Sequence, residues 1–121
     1  MAGQLTPLVL IPRYTTYSGS QDFTTIGMDV TAYQTVIVNF WRPALIGGGT
    51  DIAVYFEEST DQNSWSECAG SPSQPVNPLP NQETQYSYTL SKRWFRLRLV
   101  LPNTTNVVTC YAVGFLEERL S

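Results

Sequence analysis

Two alternating segments separated by a polar turn constrain this chain more than anything else in it. Asp51 to Trp65 reads DIAVYFEESTDQNSW, and Lys92 to Leu101 reads KRWFRLRLVL. In the first, Ile52, Val54 and Phe56 fall on one face and Ala53, Tyr55 and Glu57 on the other. In the second, Phe95, Leu97, Leu99 and Leu101 alternate with Trp94, Arg96, Arg98 and Val100. A period of two describes strands with one dry and one wet face, which antiparallel sheets accommodate. Ser59 to Trp65, small polar residues closing on a large aromatic, reads as a tight β-turn whose ring folds back onto the sheet.

The rest of the chain repeats this grammar. Apolar or alternating runs occur at Leu5–Ile11, Thr24–Val30, Gln34–Trp41, Ile52–Glu57, Trp65–Cys68, Gln85–Leu90, Trp94–Leu101 and Val107–Leu116. Between them lie loop formers: Pro12 to Ser20, Pro43 with Gly47-Gly48-Gly49, the proline-rich Gly70–Asn81, and Pro102 to Asn106. Helical spacing occurs only at Leu116–Leu120, which is too short to hold a helix. The expected fold is all-β: a single antiparallel β-sandwich of jelly-roll type, about eight strands, essentially no helix, with residues 1–121 as one domain. Gly70–Asn81 is expected to be a long loop wrapping that domain. Val107–Leu116 is apolar on both faces, as suits a central strand covered twice or one at an interface.

Composition removes whole classes of function. Charged residues are only 14% of the chain, the net charge is −3 and the isoelectric point about 4.7, so nothing draws nucleic acid or anionic lipid. There is no histidine, hence no imidazole base or ligand. Cys68 and Cys110 are too few for a zinc site or a disulfide framework, and either pair or lie buried. Leu8–Ile11, cut off by Pro7 and Pro12 and without a basic segment before it, is neither signal peptide nor membrane span, so cytoplasmic synthesis without a signal is expected.

Catalysis is not expected. Glu57 and Glu58 are adjacent, so in a strand they point to opposite faces and cannot act on one substrate, and Glu117 and Glu118 meet the same objection. No nucleophile elbow or phosphate-cradling loop is present. Asp51, Asp61 and Asn63 carry oxygens of the kind calcium takes, yet they are ordinary turn residues too. No cofactor and no metal are expected.

The candidate contacts are therefore surface ones. Arg96 and Arg98 share a strand face with Trp94, a face suited to stacking on a sugar or gripping an acidic partner. The alternative is that the arginines pair with Glu57 and Glu58 across strands. Trp41, Trp65 and Trp94 with the seven tyrosines are candidates for an aromatic glycan platform, Tyr55, Trp65 and Trp94 being the first positions to test, against the alternative that such rings are core and sandwich corners and that Trp65 plugs the end of the core. Residues 1–20, with Leu8, Leu10, Tyr14 and Tyr17, suit either an extended arm that contacts another chain or the sandwich's own first strand.

Three segments carry a resemblance: Leu8–Thr16 (LVLIPRYTT), Val54–Trp65 (VYFEESTDQNSW) and Arg93–Leu101 (RWFRLRLVL). In these the chain resembles small jelly-roll virion proteins of tailed phages, over nearly its whole length. That resemblance implies a bacteriophage capsid decoration or cement protein on the virion surface, with the major capsid protein lattice as partner and self-association into a homo-oligomer. The strand, turn and aromatic-basic strand are also similar to discoidin-like carbohydrate-binding modules, over about half of the sequence, which would imply glycan as ligand. Such modules begin with structure for which Met1–Val30 has little room.

Overall fold

The computed structural model describes residues 3–120. Nine strands and no helix are found among them. They are β1 (Leu5–Tyr17), β2 (Asp22–Thr24), β3 (Met28–Asp29), β4 (Tyr33–Arg42), β5 (Ala53–Ser59), β6 (Ser66–Glu67), β7 (Gln82–Thr89), β8 (Trp94–Val100) and β9 (Val108–Glu118).

Two antiparallel sheets face each other, one ordered β1-β9-β4-β7 and the other β2-β8-β5-β6, with β3 also paired to β8. With β3 set aside, the remaining strands follow the order of two interlocked Greek keys, which is the jelly-roll arrangement. The count exceeds the expected eight because Thr24–Val30 is not one strand. The chain leaves β8 after Thr25, whose amide still donates to the Leu97 carbonyl, and returns at Met28, and Ile26 between them is 90% exposed.

The alternation read from the sequence sets which side of each strand is dry. Phe95, Leu97, Leu99 and Leu101 join Val54 and Phe56 on one inner face, opposite Val36, Val38 and Phe40 of β4 and Val108, Cys110, Ala112 and Leu116 of β9. Each large side chain so buried contributes about 1.5–3 kcal/mol. Where β9 pairs with β4, the backbones approach so closely that a Cβ on Gly114 would overlap the carbonyl of Ile37, which explains glycine in a buried strand.

The loops are tied down by buried polar groups. Arg42, 1% exposed, donates to the carbonyls of Pro78 (2.8 Å), Pro43 (3.3 Å) and Thr50 (3.1 Å) and to Asn77 Oδ1 (3.3 Å). Burial lowers its pKa from the ordinary arginine value, with Asp51 and Tyr86 opposing. The stretch after β6 lies along the part of β5 that β6 leaves open: Val54 and Val76 exchange backbone hydrogen bonds, and Gln74 Oε1 accepts from the Phe56 amide at 2.5 Å. Gly70–Asn81 is thus the wrapping loop that its composition predicts.

Candidate functional site

The wet face of β5 and β8 holds the expected arginine cluster. Arg96 Nε donates to Glu57 Oε1 at 2.9 Å, and Arg98 reaches Glu57 Oε2 at 3.6 Å and Asp22 at 3.2 Å. Arg98 is held above the ordinary arginine pKa, chiefly by its hydrogen bond to Asp22. Glu57 is buried beneath the two guanidinium groups. Glu58, pointing the other way, accepts from the Ser91 and Lys92 amides at 2.8 and 3.2 Å and from Ser91 Oγ at 2.7 Å. The pairing alternative therefore describes Glu57 but not Glu58, because adjacent strand residues face opposite sides.

Each of the three rings expected first in the platform, Tyr55, Trp65 and Trp94, carries a guanidinium. Arg96 lies 4.2 Å from the Trp65 ring centroid, Arg98 4.7 Å from Tyr55 and Arg93 4.9 Å from Trp94. Trp65 is half-buried on this outer side, its Nε1 donating to the Gln62 carbonyl at 3.2 Å, and does not plug the core. A ring face occupied by a cation is not open to a sugar.

The turn before Trp65 consumes Asp61. Its Oδ1 accepts from the amides of Asn63 (2.8 Å) and Ser64 (3.0 Å) and from Ser59 Oγ (3.1 Å). These bonds, that from Ser64 foremost, hold its pKa below the ordinary value. Asp51 sits at the other end of β5, about 25 Å away at about 3.3 Å per residue. The two aspartates thus cannot share a calcium ion.

A second aromatic cluster lies on the outer face of the other sheet, where β4 and β9 place Trp41 opposite Tyr111. Their rings are nearly parallel, 12° apart in tilt, with centroids at 5.9 Å. Tyr14 stands edge-on to both, at 5.9 Å from Trp41 and 6.1 Å from Tyr111. It arrives there through an irregularity in the β1–β9 register between Ile11 and Thr15, with its own φ at +63°. Arg13 lies 4.5 Å over the Tyr111 ring, and the Tyr111 hydroxyl donates to Glu83 Oε2 at 2.5 Å. That bond raises the Tyr111 pKa, since losing the proton would set two anions together. A groove of about 350 Å³ beside the cluster is lined by Val9, Arg13, Asn39, Glu83, Val113 and Phe115, among others.

A third feature is the open side of the sandwich between β1 and β2–β3. There Val9, Leu10, Tyr17, Ile26 and Met28 line a cleft of about 400 Å³. Of the residues expected as arm contacts, Leu8 is buried in the core, Leu10 and Tyr17 border this cleft, and Tyr14 belongs to the aromatic cluster. Residues 5–17 of the expected arm are a strand of their own sheet, and residues 1 and 2 lie outside the described residues. Both thiols are free and buried.

No family model and no curated protein matches this chain. Solved structures do. A chain in the structure of infectious bursal disease virus, Gx strain, superimposes with a TM-score of 0.52 at 7% identity, covering 95% of this chain and 32% of the viral one. This chain therefore spans about a third of its neighbour's length, and the likeness is one of fold. The CBM22-1 xylan-binding domain of Paenibacillus barcinonensis Xyn10C gives a TM-score of 0.47 at 11% identity, covering 100% of this chain and 86% of that domain.

The Tyr14 cluster is where sequence reading fell short. Trp41 lies on the face opposite Val36, Val38 and Phe40, and Tyr111 lies in a strand apolar on both faces, but only the β4–β9 register brings them together. Arg13 and Glu83 carried no sequence signal at all.

Proposed function

We propose that this protein is a non-enzymatic virion component, a capsid decoration or cement protein of a bacteriophage, docking on an assembled protein lattice. The observation that carries this reading is Ile26, an isoleucine 90% exposed on the rim of the apolar cleft beside edge strand β1. Exposed apolar surface of this kind marks a contact with another protein. The outward backbone groups of β1 add hydrogen-bonding capacity, and its register irregularities after Val9 confine strand addition to the Leu5–Val9 end. Fold likeness to a chain of a virus is a further support.

Such a protein acts by mass action: binding only the assembled shell shifts the equilibrium toward assembly. Repetition of a shallow contact over the lattice, and homo-oligomerisation, supply avidity that one contact lacks. The test is co-sedimentation with the capsid shells encoded nearest its gene. Stoichiometric pelleting with shells but not with unassembled capsid protein is expected, and pelleting with neither contradicts the reading.

A second reading, a carbohydrate-binding module, is favoured by the exposed ring of Tyr14 beside Trp41 and Tyr111. A virion surface protein that holds glycan would satisfy both.

A further inference from the structure

We infer that the outer face of the β1-β9-β4-β7 sheet holds a binding site for a neutral oligosaccharide, built by Arg13, Tyr14, Trp41, Glu83 and Tyr111. The inference deepens the carbohydrate reading and is independent of lattice docking.

Tyr14 is the first argument. A bulky residue at φ +63° sits in a conformation that L side chains rarely adopt, and the surrounding structure must offset the cost. Here the cost is not offset by burial, because the ring is 64% exposed. Strain that places an aromatic ring in solvent, next to two others, points to a ligand rather than to the core.

The chemistry of the cluster says which ligand. A pyranose has an apolar C–H face and a rim of hydroxyls that both donate and accept. Tyr14 and the half-buried Trp41 offer aromatic surface to the first. Arg13 offers donors and Glu83 acceptors to the second, and Gln85 and Asn39 on the same face form an amide pair at 3.1 Å. Among the described residues no carboxylate lies in ion-pair contact with Arg13, unlike the arginines of the opposite sheet. One cation and one anion together favour a neutral sugar over an acidic one, as does the net charge of −3. The groove of about 350 Å³ alongside falls at the low end of the range for small-ligand sites.

The test is calorimetric titration of the purified protein with cello-, xylo- and malto-oligosaccharides, and with an oligogalacturonate as the acidic counterpart. At least one neutral oligosaccharide is expected to bind, with affinity about tenfold or more weaker in Tyr14→Gly and in Glu83→Gln and unchanged in Trp94→Ala on the opposite sheet. Tyr14→Gly, which suits a positive φ, is expected to melt no lower than the parent, so that lost binding is not lost folding. Binding that survives both variants overturns this site while leaving the carbohydrate reading in place. Preference for oligogalacturonate overturns the neutral ligand, and no binding to any of the four overturns both site and reading.

Discussion

Arg96 stacks on Trp65, its guanidinium carbon 4.2 Å from the ring centroid, while its Nε donates to Glu57 at 2.9 Å. One side chain thereby ties the turn before β6 to β5 and β8. The arginines of this cluster are thus engaged by its own rings and carboxylates, an arrangement that ties β8 to β5 and β2.

Glu57→Ala is accordingly expected to destabilise the fold by about 2–3 kcal/mol, because partly buried Arg96 loses its carboxylate and Arg98 loses one of its two. Trp65→Ala, which removes a half-exposed cation–π contact, should cost only about 1 kcal/mol. Urea denaturation of the two variants checks the order.

Arg42→Ala should cost more, about 3 kcal/mol or above. The carbonyls of Pro78, Pro43 and Thr50 lose their donor, and the space left lies under two loops. If thermal or urea unfolding ranks Arg42→Ala below Trp65→Ala, the anchoring role assigned to Arg42 fails.

How much of this was readable beforehand follows from periodicity. Ile52–Glu57 and Trp94–Leu101 declare their dry faces by alternation alone, and with the loop formers this suffices for an antiparallel sandwich. Arg42 is different: it continues the inward series Val36, Val38, Phe40, yet an arginine is read as solvent-facing unless its carbonyl partners are known. Trp41 and Tyr111, distant in sequence, meet only through strand register. Local pattern is legible in a sequence; long-range pairing, on which this site depends, is not.

The buried thiols give a chemical prediction. Burial pushes Cys110 up to about 12 and raises Cys68 further above the ordinary thiol value. The reactive thiolate is therefore scarce in the folded protein, and alkylation near neutral pH should be slow until urea is added. The unfolded chain ionises these thiols near pH 9 while the fold keeps them protonated, so stability should decline as pH rises from about 9 toward 12. Rapid labelling of either cysteine in the native protein would refute this.

The acid limb has the opposite sign. Hydrogen bonds, from Thr31 to Asp29 and from Ser64 to Asp61 foremost, hold both carboxyls below the ordinary aspartate value of 3.8. Their contribution is complete above that value and is lost as pH falls through the lower folded ones. Asp61→Asn keeps an acceptor for the turn amides but cannot titrate, so its urea midpoint should fall less than the parent's below about pH 4.

The most direct test of the lattice-docking account is hydrogen–deuterium exchange of the protein alone and bound to assembled shells. Amides of Leu5–Val9 and of residues 24–28, around Ile26, are predicted to gain protection on the shell, with β8 unchanged. Protection confined to other surfaces, with residues 24–28 exchanging as they do free, would contradict it.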